Sequence, residues 1–163
     1  MEQRIAIVPG SFDPITIGHL NIVERAAKEY DLVYVAVMIN DQKNYMFSLE
    51  QRKRIAMACL GAWKNVKVIS SEGMLWELAK NLGACAIVKG FRNEADLAYE
   101  NRMAEFNATQ YPAAQTLLLP AMKKHLHISS TLVREKILAR EDLSKLLPKE
   151  AIDEIQKIHS TKL

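Results

Sequence analysis

Residues 4–19, which read RIAIVPGSFDPITIGH, decide the fold of this chain. The stretch begins with a mostly apolar run over residues 4–8, typical of a buried parallel strand, and Pro9-Gly10 is expected to end that strand. After the loop, apolar side chains recur at helical spacing, at Leu20, Val23, Ala27 and Tyr30. A strand, a short loop and a helix in this order predict the first unit of an α/β fold.

The same alternation continues to the end of the sequence. Further apolar runs predict strands over 32–39, 66–69, 84–88 and 114–119. The second helix is predicted from Ser48, whose capping box with Gln51 opens it, to Gly61. Further helices are predicted over 75–82, with Gly83 at the end, over 94–109 and 130–140, and from Pro148 onward. Repeated strand-helix units predict one Rossmann-like, doubly wound domain over residues 1–163. Its sheet has five parallel strands, and a helical C-terminal extension covers about 141–163.

Composition and charge restrict the class of protein. The chain has 163 residues, 49% of them hydrophobic, and a formal net charge of +3. Because Lys and Arg are scattered, we expect no nucleic-acid partner, while the small positive excess suits small anionic substrates. The absence of a signal pattern or a long apolar run predicts a cytoplasmic protein that binds no membrane. Cys59 and Cys85 are expected to be buried, reduced thiols without metal-ligand spacing.

Four loops are expected to form the ligand site, because ligands of doubly wound sheets bind beyond the carboxyl ends of the strands. They are loops 9–18, 40–47, 89–93 and 120–129. No P-loop or G-x-G-x-x-G pattern is present, which removes the main support for those nucleotide-binding classes. Gly18 permits close approach to the start of the first helix, a favourable place for a phosphate. His19 is positioned to donate to that phosphate, although on its own it also fits simple packing or capping.

The other three loops also present groups that bind anions. Ile128-Ser129-Ser130-Thr131 places three hydroxyls at a predicted helix start, where one would suffice for capping; a cap and a second phosphate site both fit. Lys89-Gly90-Phe91-Arg92 presents two cations at the end of a strand, and Asp41-Gln42-Lys43-Asn44 presents one. Each lysine alone is typical of a solvated surface charge. Their convergence on one sheet edge favours a site for phosphates.

Together these motifs resemble a known superfamily. T-x-G-H at Thr16–His19, and I-S-S-T-L-V-R at Ile128–Arg134, are similar to the motifs of the nucleotidyltransferases related to class I aminoacyl-tRNA synthetases. Within that superfamily the chain resembles the bacterial phosphopantetheine adenylyltransferases over essentially its whole length. The features that carry this narrower resemblance are Lys43 followed by Met46-Phe47, the Lys89–Arg92 loop, and Asp96 with Tyr99-Glu100.

The resemblance implies a specific reaction and assembly. AMP would pass from ATP to 4′-phosphopantetheine, giving dephospho-coenzyme A and pyrophosphate, the penultimate step of coenzyme A synthesis. The acceptor phosphate would attack in line, without a covalent enzyme intermediate, and the sequence contains no Ser-His-Asp or Cys-His arrangement that would suggest otherwise. Mg²⁺ accompanying ATP, a homohexamer, and feedback inhibition by coenzyme A are also implied.

The resemblance further implies roles for individual residues. The catalytic set would be His19, Lys43, Ser11 and Arg92. The ATP site would comprise Ser11, Phe12, His19, Gly90, Phe91, Arg92, Glu100, His125, Ser129, Ser130 and Thr131. The phosphopantetheine site would comprise Ser11, Lys43, Met74, Leu75, Lys89, Asn107 and Glu135, of which Met74 and Leu75 also fit simple core packing. No residue is expected to be a dedicated metal ligand.

Three features depart from the family pattern. Lys89 stands where arginine is usual, which keeps the charge and loses the bidentate fork. Ser11 replaces a commoner threonine and keeps the hydroxyl. The loop over residues 121–127 lacks an aromatic residue that is frequent in the family, and its His125 and His127 are weak evidence for a metal site.

Two alternative functions remain. One is a sister enzyme that uses nicotinamide mononucleotide, or glycerol 3-phosphate with CTP, and the other is a nucleotide-binding regulatory module without turnover.

Overall fold

The computed structural model describes residues 2–161. Its strands are β1 (Ile5–Gly10), β2 (Leu32–Met38), β3 (Val66–Ser71), β4 (Ala86–Phe91) and β5 (Gln115–Pro120). They pair into one parallel sheet in the order β3-β2-β1-β4-β5. Because all strands are parallel, their carboxyl ends lie at one edge of the sheet. The order of the strands reverses between β1 and β4, which is where doubly wound sheets open a crevice for ligands.

Helices connect the strands and continue beyond the last one. They are α1 (Ile17–Glu29), α2 (Leu49–Leu60), α3 (Leu75–Leu82), α4 (Glu94–Gln110), α5 (Ser130–Leu138) and α6 (Lys149–Ser160), with a short 3₁₀ turn at Lys123–His125. The predicted capping box of α2 is present, with Ser48 and Gln51 each accepting the other's backbone N–H. Gly83 ends α3 with a φ of 65°, a conformation that glycine adopts without strain.

The two faces of the sheet are both covered, as expected for a doubly wound fold. Alternate strand residues such as Ala6 and Val8 face the larger core, which also receives buried residues of α1, α2, α5 and α6. Ile7 faces the opposite side and packs with α3 through Ala79. This period-two alternation divides every central strand between two cores. The predicted α/β class, with five parallel strands and C-terminal helices, is confirmed.

Some predicted boundaries are wrong. β1 does not end before Pro9-Gly10, because both residues pair with β2. Proline is tolerated there because β1 pairs with β4 only at Ala6 and Ile7, so that side needs no N–H from Pro9. β4 extends to Phe91, and the cationic segment from Lys89 therefore belongs largely to a strand rather than a loop.

Further corrections concern helix ends and a cysteine. α5 ends at Leu138 rather than Arg140, whose φ is 56°, and Pro148 is the N-cap of α6 rather than its first helical residue. Cys85 is exposed, not buried, although Ala84 and Ala86 on either side of it are buried. Cys59 is partly buried, and burial raises the pKa of its thiol to about 12. Within residues 2–161, no helix has the length and apolar character needed to cross a membrane.

Candidate active site

His19 is fixed at the start of α1 by a capping box. The Thr16 N–H donates to His19 Nδ1 at 3.0 Å, and the His19 N–H donates to Thr16 Oγ1 at 3.3 Å. Because Nδ1 accepts a hydrogen bond from the backbone, the neutral ring carries its proton on Nε2. The capping contact thus sets both the tautomer and the orientation of the imidazole. Helix capping and a role at the site, the two alternatives for this residue, are compatible.

The surroundings of His19 keep the ring neutral. Burial, and then the positive charge of Arg92, lower its pKa from 6.5 to about 4. The ring of Phe12 meets the imidazole edge-on, with centroids 5.0 Å apart. Phe12 is itself 3% exposed and rests on Gly10, where a Cβ would lie 2.9 Å from the ring. At pH 7 His19 is therefore a neutral hydrogen-bond donor whose ring packs against Phe12.

Arg92 joins the end of β4 to the start of α5. Its backbone N–H and its Nε both donate to Asp96 Oδ2, at 3.1 and 3.2 Å. Its Nη1 donates to the carbonyl of Ile128 at 3.4 Å. Asp96 lies in the first turn of α4, and its own N–H donates to Asn93 Oδ1, the N-cap of that helix, so Arg92 is anchored to the start of α4. The guanidinium is held between two of the four predicted loops.

Lys89 and Glu100 form an ion pair beside this segment. Lys89 Nζ lies 2.7 Å from Glu100 Oε2, at an angle outside hydrogen-bond geometry. The two side chains are 24% and 13% exposed, so the pair is largely shielded from water. Neighbouring Gly90 lies against α1, where a Cβ would come within 3.0 Å of Ile22. β4 can approach α1, whose first turn carries His19, this closely because residue 90 has no side chain.

The start of α5 is tied to loop 9–18. Ser129 is the N-cap and accepts the N–H of Leu132 at 3.1 Å, which confirms that it caps the helix. Ser130 donates through Oγ to the carbonyl of Pro14 at 2.8 Å. Arg134 donates to the carbonyl of Asp13 and to Thr131 Oγ1. The three hydroxyls all have partners, while the first N–H groups of a helix have no intrahelical acceptor and favour an anion.

Asp13 connects loop 9–18 to loop 40–47. Its carboxylate is 3% exposed and accepts the N–H groups of Met46 and Phe47 at 2.9 and 3.0 Å. Arg134 Nη1 lies 3.7 Å from the same carboxylate. Two backbone N–H groups and a cation thus compensate the buried negative charge. This contact fixes the segment that follows Lys43.

Arg52, on α2, joins the same two loops through its hydrogen bonds. Its guanidinium is buried, and it donates to the carbonyls of Ser11 at 2.6 Å, Met38 at 2.9 Å and Phe47 at 3.2 Å. The ring of Tyr45 covers the guanidinium, 3.9 Å from its central carbon. Burial lowers the pKa of Arg52, and the neighbouring Tyr45 and Asp13 oppose that shift.

The remaining predicted residues are more scattered. Lys43 is exposed in a turn in which its N–H donates to the Asn40 carbonyl. Met74 is 47% exposed at the N-cap of α3, next to the partly buried Leu75. Asn107 is buried on α4, and Glu135 is exposed on α5.

The pKa of His125, a predicted nucleotide-site residue, is lowered by burial and by the positive charges of Lys124 and His127. Phe91 is partly buried at the end of β4, and Phe12 can offer little more than its backbone.

Asp13, Tyr45 and Arg52 were missed by the sequence analysis. Asp13 accepts N–H groups more than thirty residues away, and no local pattern indicates such a contact. Arg52 lies in an amphipathic helix, where an arginine is ordinarily expected to be solvated. Tyr45 had a weak signal, an aromatic residue directly after the polar segment 41–44 of a predicted ligand loop.

A metal cage is not found in the part of the chain that the structure describes. No group of three or more His, Cys, Asp or Glu side chains there could hold a metal ion. Asp13, Asp96 and Glu100 each already contact protein donors.

The fold and the site together define a nucleotidyltransferase. The family model described as cytidylyltransferase-like matches residues 7–136, which include the α1 start, the β4 segment and the α5 start. The chain also resembles individual phosphopantetheine adenylyltransferases. That of Streptococcus sanguinis is 37% identical over 163 residues, 99% of both chains. That of Alkaliphilus oremlandii is 45% identical over 133 residues, 82% of this chain and 85% of the relative.

A third relative covers nearly the whole chain as well. The phosphopantetheine adenylyltransferase of Clostridium perfringens is 35% identical over 155 residues, 95% of this chain and 94% of the relative. The identity and coverage of these relatives are sufficient to assign the family. The chain belongs to the phosphopantetheine adenylyltransferase family.

Proposed function

We propose that this protein transfers AMP from ATP to 4′-phosphopantetheine and releases dephospho-coenzyme A and pyrophosphate. The single observation that supports the chemistry most strongly is the Thr16 N–H bond to His19 Nδ1 at the first turn of α1. It leaves a neutral imidazole with one N–H to give, at a helix end that attracts phosphate. The names of the relatives supply the acceptor.

The reaction is a direct displacement at phosphorus. An oxygen of the acceptor phosphate forms a bond to the α-phosphorus of ATP, and the bond to the β-phosphate oxygen breaks. Pyrophosphate takes the electron pair of that bond. His19 donates its Nε2 proton as a hydrogen bond to the α-phosphate oxygens, where charge accumulates in the transition state. Because His19 only donates and transfers no proton, a pKa of about 4 suits this role.

The other loops position the two substrates. Lys43, Ser11 and Lys89 hold the acceptor phosphate, and Met74, Leu75, Asn107 and Glu135 line the path of the pantetheine arm. Arg92 and the helix start at Ser129, Ser130 and Thr131 bind the β- and γ-phosphates. Phe12 (through its backbone), Gly90, Phe91, Glu100 and His125 surround the nucleotide. The contact of Arg92 with Ile128 supports this assignment, because it joins two of the proposed phosphate-binding segments. Catalysis then consists of positioning and charge stabilisation.

Mg²⁺ is the cation that we assign to bound ATP. The phosphate oxygens and water would hold it, as is usual for this ion, because the carboxylates of Asp13 and Asp96 already accept protein hydrogen bonds and Glu100 forms an ion pair with Lys89. When bound, it neutralises part of the negative charge on the phosphates.

We also assign the remaining family properties as proposals. Residues 1–163 form one nucleotidyltransferase domain that works in the cytoplasm. Coenzyme A, which shares the pantetheine arm, acts as a feedback inhibitor.

The protein assembles as a homohexamer. Tyr99, Met103 and Phe106 support a subunit contact, because these large side chains of α4 are 47%, 37% and 41% exposed and follow helical spacing.

Pyrophosphate release with a panel of substrates tests the function. We expect release with ATP plus 4′-phosphopantetheine and only background release with ATP plus nicotinamide mononucleotide or with CTP plus glycerol 3-phosphate. No release with phosphopantetheine, together with release from another pair, would assign the chain to a sister activity. No release from any pair, with ATP bound, would favour a regulatory module.

A further inference from the structure

The hydroxyl of Tyr45 forms a short hydrogen-bonded chain that ends at Ser11. Tyr45 Oη accepts the N–H of Asn40 at 2.6 Å and lies 3.3 Å from both the Asn40 carbonyl and Ser11 Oγ. The Tyr45 proton therefore has two possible acceptors, and the Ser11 hydroxyl can either donate to Tyr45 or accept from it. These contacts join loop 40–47 directly to the hydroxyl of loop 9–18.

The ring of Tyr45 is also fixed. It lies over the guanidinium of Arg52, 3.9 Å from the central carbon, and Arg52 Nη1 donates to the carbonyl of Ser11 at 2.6 Å. Ser11 is thus held at two points, its carbonyl by Arg52 and its hydroxyl by Tyr45. Tyr45 provides one of these restraints through its hydroxyl and packs on the guanidinium that provides the other.

A bound phosphate would give this chain a direction. Phosphate oxygens only accept hydrogen bonds at neutral pH, so a phosphate at Ser11 accepts a hydrogen bond from the Ser11 hydroxyl. Ser11 Oγ is then free to accept, and the Tyr45 O–H can turn from the Asn40 carbonyl to Ser11. The resulting chain runs from the Asn40 N–H through Tyr45 and Ser11 to the phosphate. Each bond polarises the next, which strengthens the last donor in the chain.

We propose that Tyr45 is a positioning residue for the acceptor phosphate, acting through the Ser11 hydroxyl. The inference rests on the proposed function, in which Ser11 holds the phosphate of phosphopantetheine. Tyr45 neither contacts the reacting atoms nor transfers a proton. It orients the Ser11 hydroxyl and keeps it a donor, and its effect is therefore on acceptor binding rather than on the chemical step.

Steady-state kinetics of Tyr45→Phe test this role. The substitution keeps the ring over Arg52 and removes the hydroxyl. The KM for phosphopantetheine is expected to rise about two- to tenfold, the value of one hydrogen bond, while kcat and the KM for ATP change by less than about twofold. Tyr34→Phe is the matched control, because Tyr34 lies in the middle of β2 and packs on the side of the sheet that α3 covers. It is expected to leave all three parameters unchanged.

A double-mutant cycle with Ser11→Ala distinguishes positioning from a general structural effect. In the Ser11→Ala background, Tyr45→Phe is expected to have no further effect on the KM for phosphopantetheine. An unchanged KM in Tyr45→Phe, or the same fold-change with and without Ser11, would overturn the inference while the proposed function stands. A wild-type protein that releases no pyrophosphate with phosphopantetheine would overturn the proposed function itself and remove the basis of this inference.

Discussion

At the scale of single residues, His19 connects the local structure to the chemistry. The capping box with Thr16 is a common device for starting a helix. Here the capping side chain is an imidazole, so the same hydrogen bond that starts α1 also determines which ring nitrogen carries the proton. A residue needed for helix geometry thereby becomes a donor of fixed orientation.

Removing the imidazole is expected to affect turnover more than ATP binding. His19→Ala should lower kcat by about 10²–10³-fold, the usual loss for one donor to a charged transition state, with ATP affinity changed by less than about tenfold. Steady-state kinetics together with equilibrium binding of ATP measure both quantities. If ATP affinity collapsed while the residual rate per bound ATP stayed unchanged, His19 would be a binding residue only.

The ionisation of His19 gives a pH prediction. Because its pKa is about 4 in the folded protein and 6.5 in the unfolded chain, the unfolded state binds more protons between these values. The contribution of neutral His19 to stability is therefore complete above pH 6.5 and is lost as the pH falls towards 4. Titration of the imidazole by NMR should give the depressed pKa, and His19→Gln should remove this part of the pH dependence of unfolding. A titration near 6.5 in the native protein would contradict the environment described for His19.

At the scale of secondary-structure elements, α2 supports the site without reaching the substrates. Arg52 donates to carbonyls at the end of β2, in loop 9–18 and in loop 40–47, and the Asp13 carboxylate joins the same two loops. The loops that follow β1 and β2 are therefore joined by shared hydrogen-bond partners. This coupling is also the reason that Tyr45 can act on Ser11.

Replacing Arg52 is expected to destabilise the fold. Arg52→Met keeps the length of the side chain but leaves three buried carbonyls without a donor, which should cost about 2–4 kcal/mol of unfolding free energy. Arg54→Met is the control on the same helix, because Arg54 is 48% exposed and pairs with Glu154 near the surface. Its cost should be below about 1 kcal/mol. Urea unfolding compares the two, and similar losses for both would argue against a special role for Arg52.

The sequence predicts the elements better than it predicts the contacts among them. The capping residues Ser48 and Gly83 and the apolar runs of the strands are local signals, and the structure has α2 and α3 where the capping residues place them. The apolar run that predicts the fourth strand ends at residue 88, which puts Lys89 and Gly90 in a predicted loop, whereas pairing with β5 keeps both residues in β4. The burial of Arg52 depends on carbonyls in three separate segments, and no local pattern encodes that arrangement.

At the scale of the whole molecule, the topology explains why distant motifs meet. Parallel strands in the order β3-β2-β1-β4-β5 bring the ends of β1, β2 and β4 together, and α5 returns to loop 9–18 through Ser130 and Arg134. The order of the strands could not be read from the apolar runs alone. The expectation that these loops form one site came from the rule that ligands of doubly wound sheets bind beyond the carboxyl ends of the strands.

Assembly is a property of the molecule that can be measured directly. We expect the mass in solution to correspond to six copies, measured by light scattering after gel filtration. Phe106→Glu should lower that mass, because a charge would be buried in the proposed contact on α4. Glu105→Gln, a change at the adjacent exposed position, provides a control that keeps the apolar side chains. A monomeric wild-type protein would contradict the proposed hexamer.

The central claim is that the site transfers AMP directly between two bound substrates. The most direct measurement mixes the protein with ATP and 4′-phosphopantetheine and quantifies dephospho-coenzyme A, pyrophosphate and protein-bound AMP in the same samples. We predict equal amounts of the two products and no AMP attached to the protein at any time. Pyrophosphate without dephospho-coenzyme A, or AMP covalently bound to the protein before product forms, would contradict the claim.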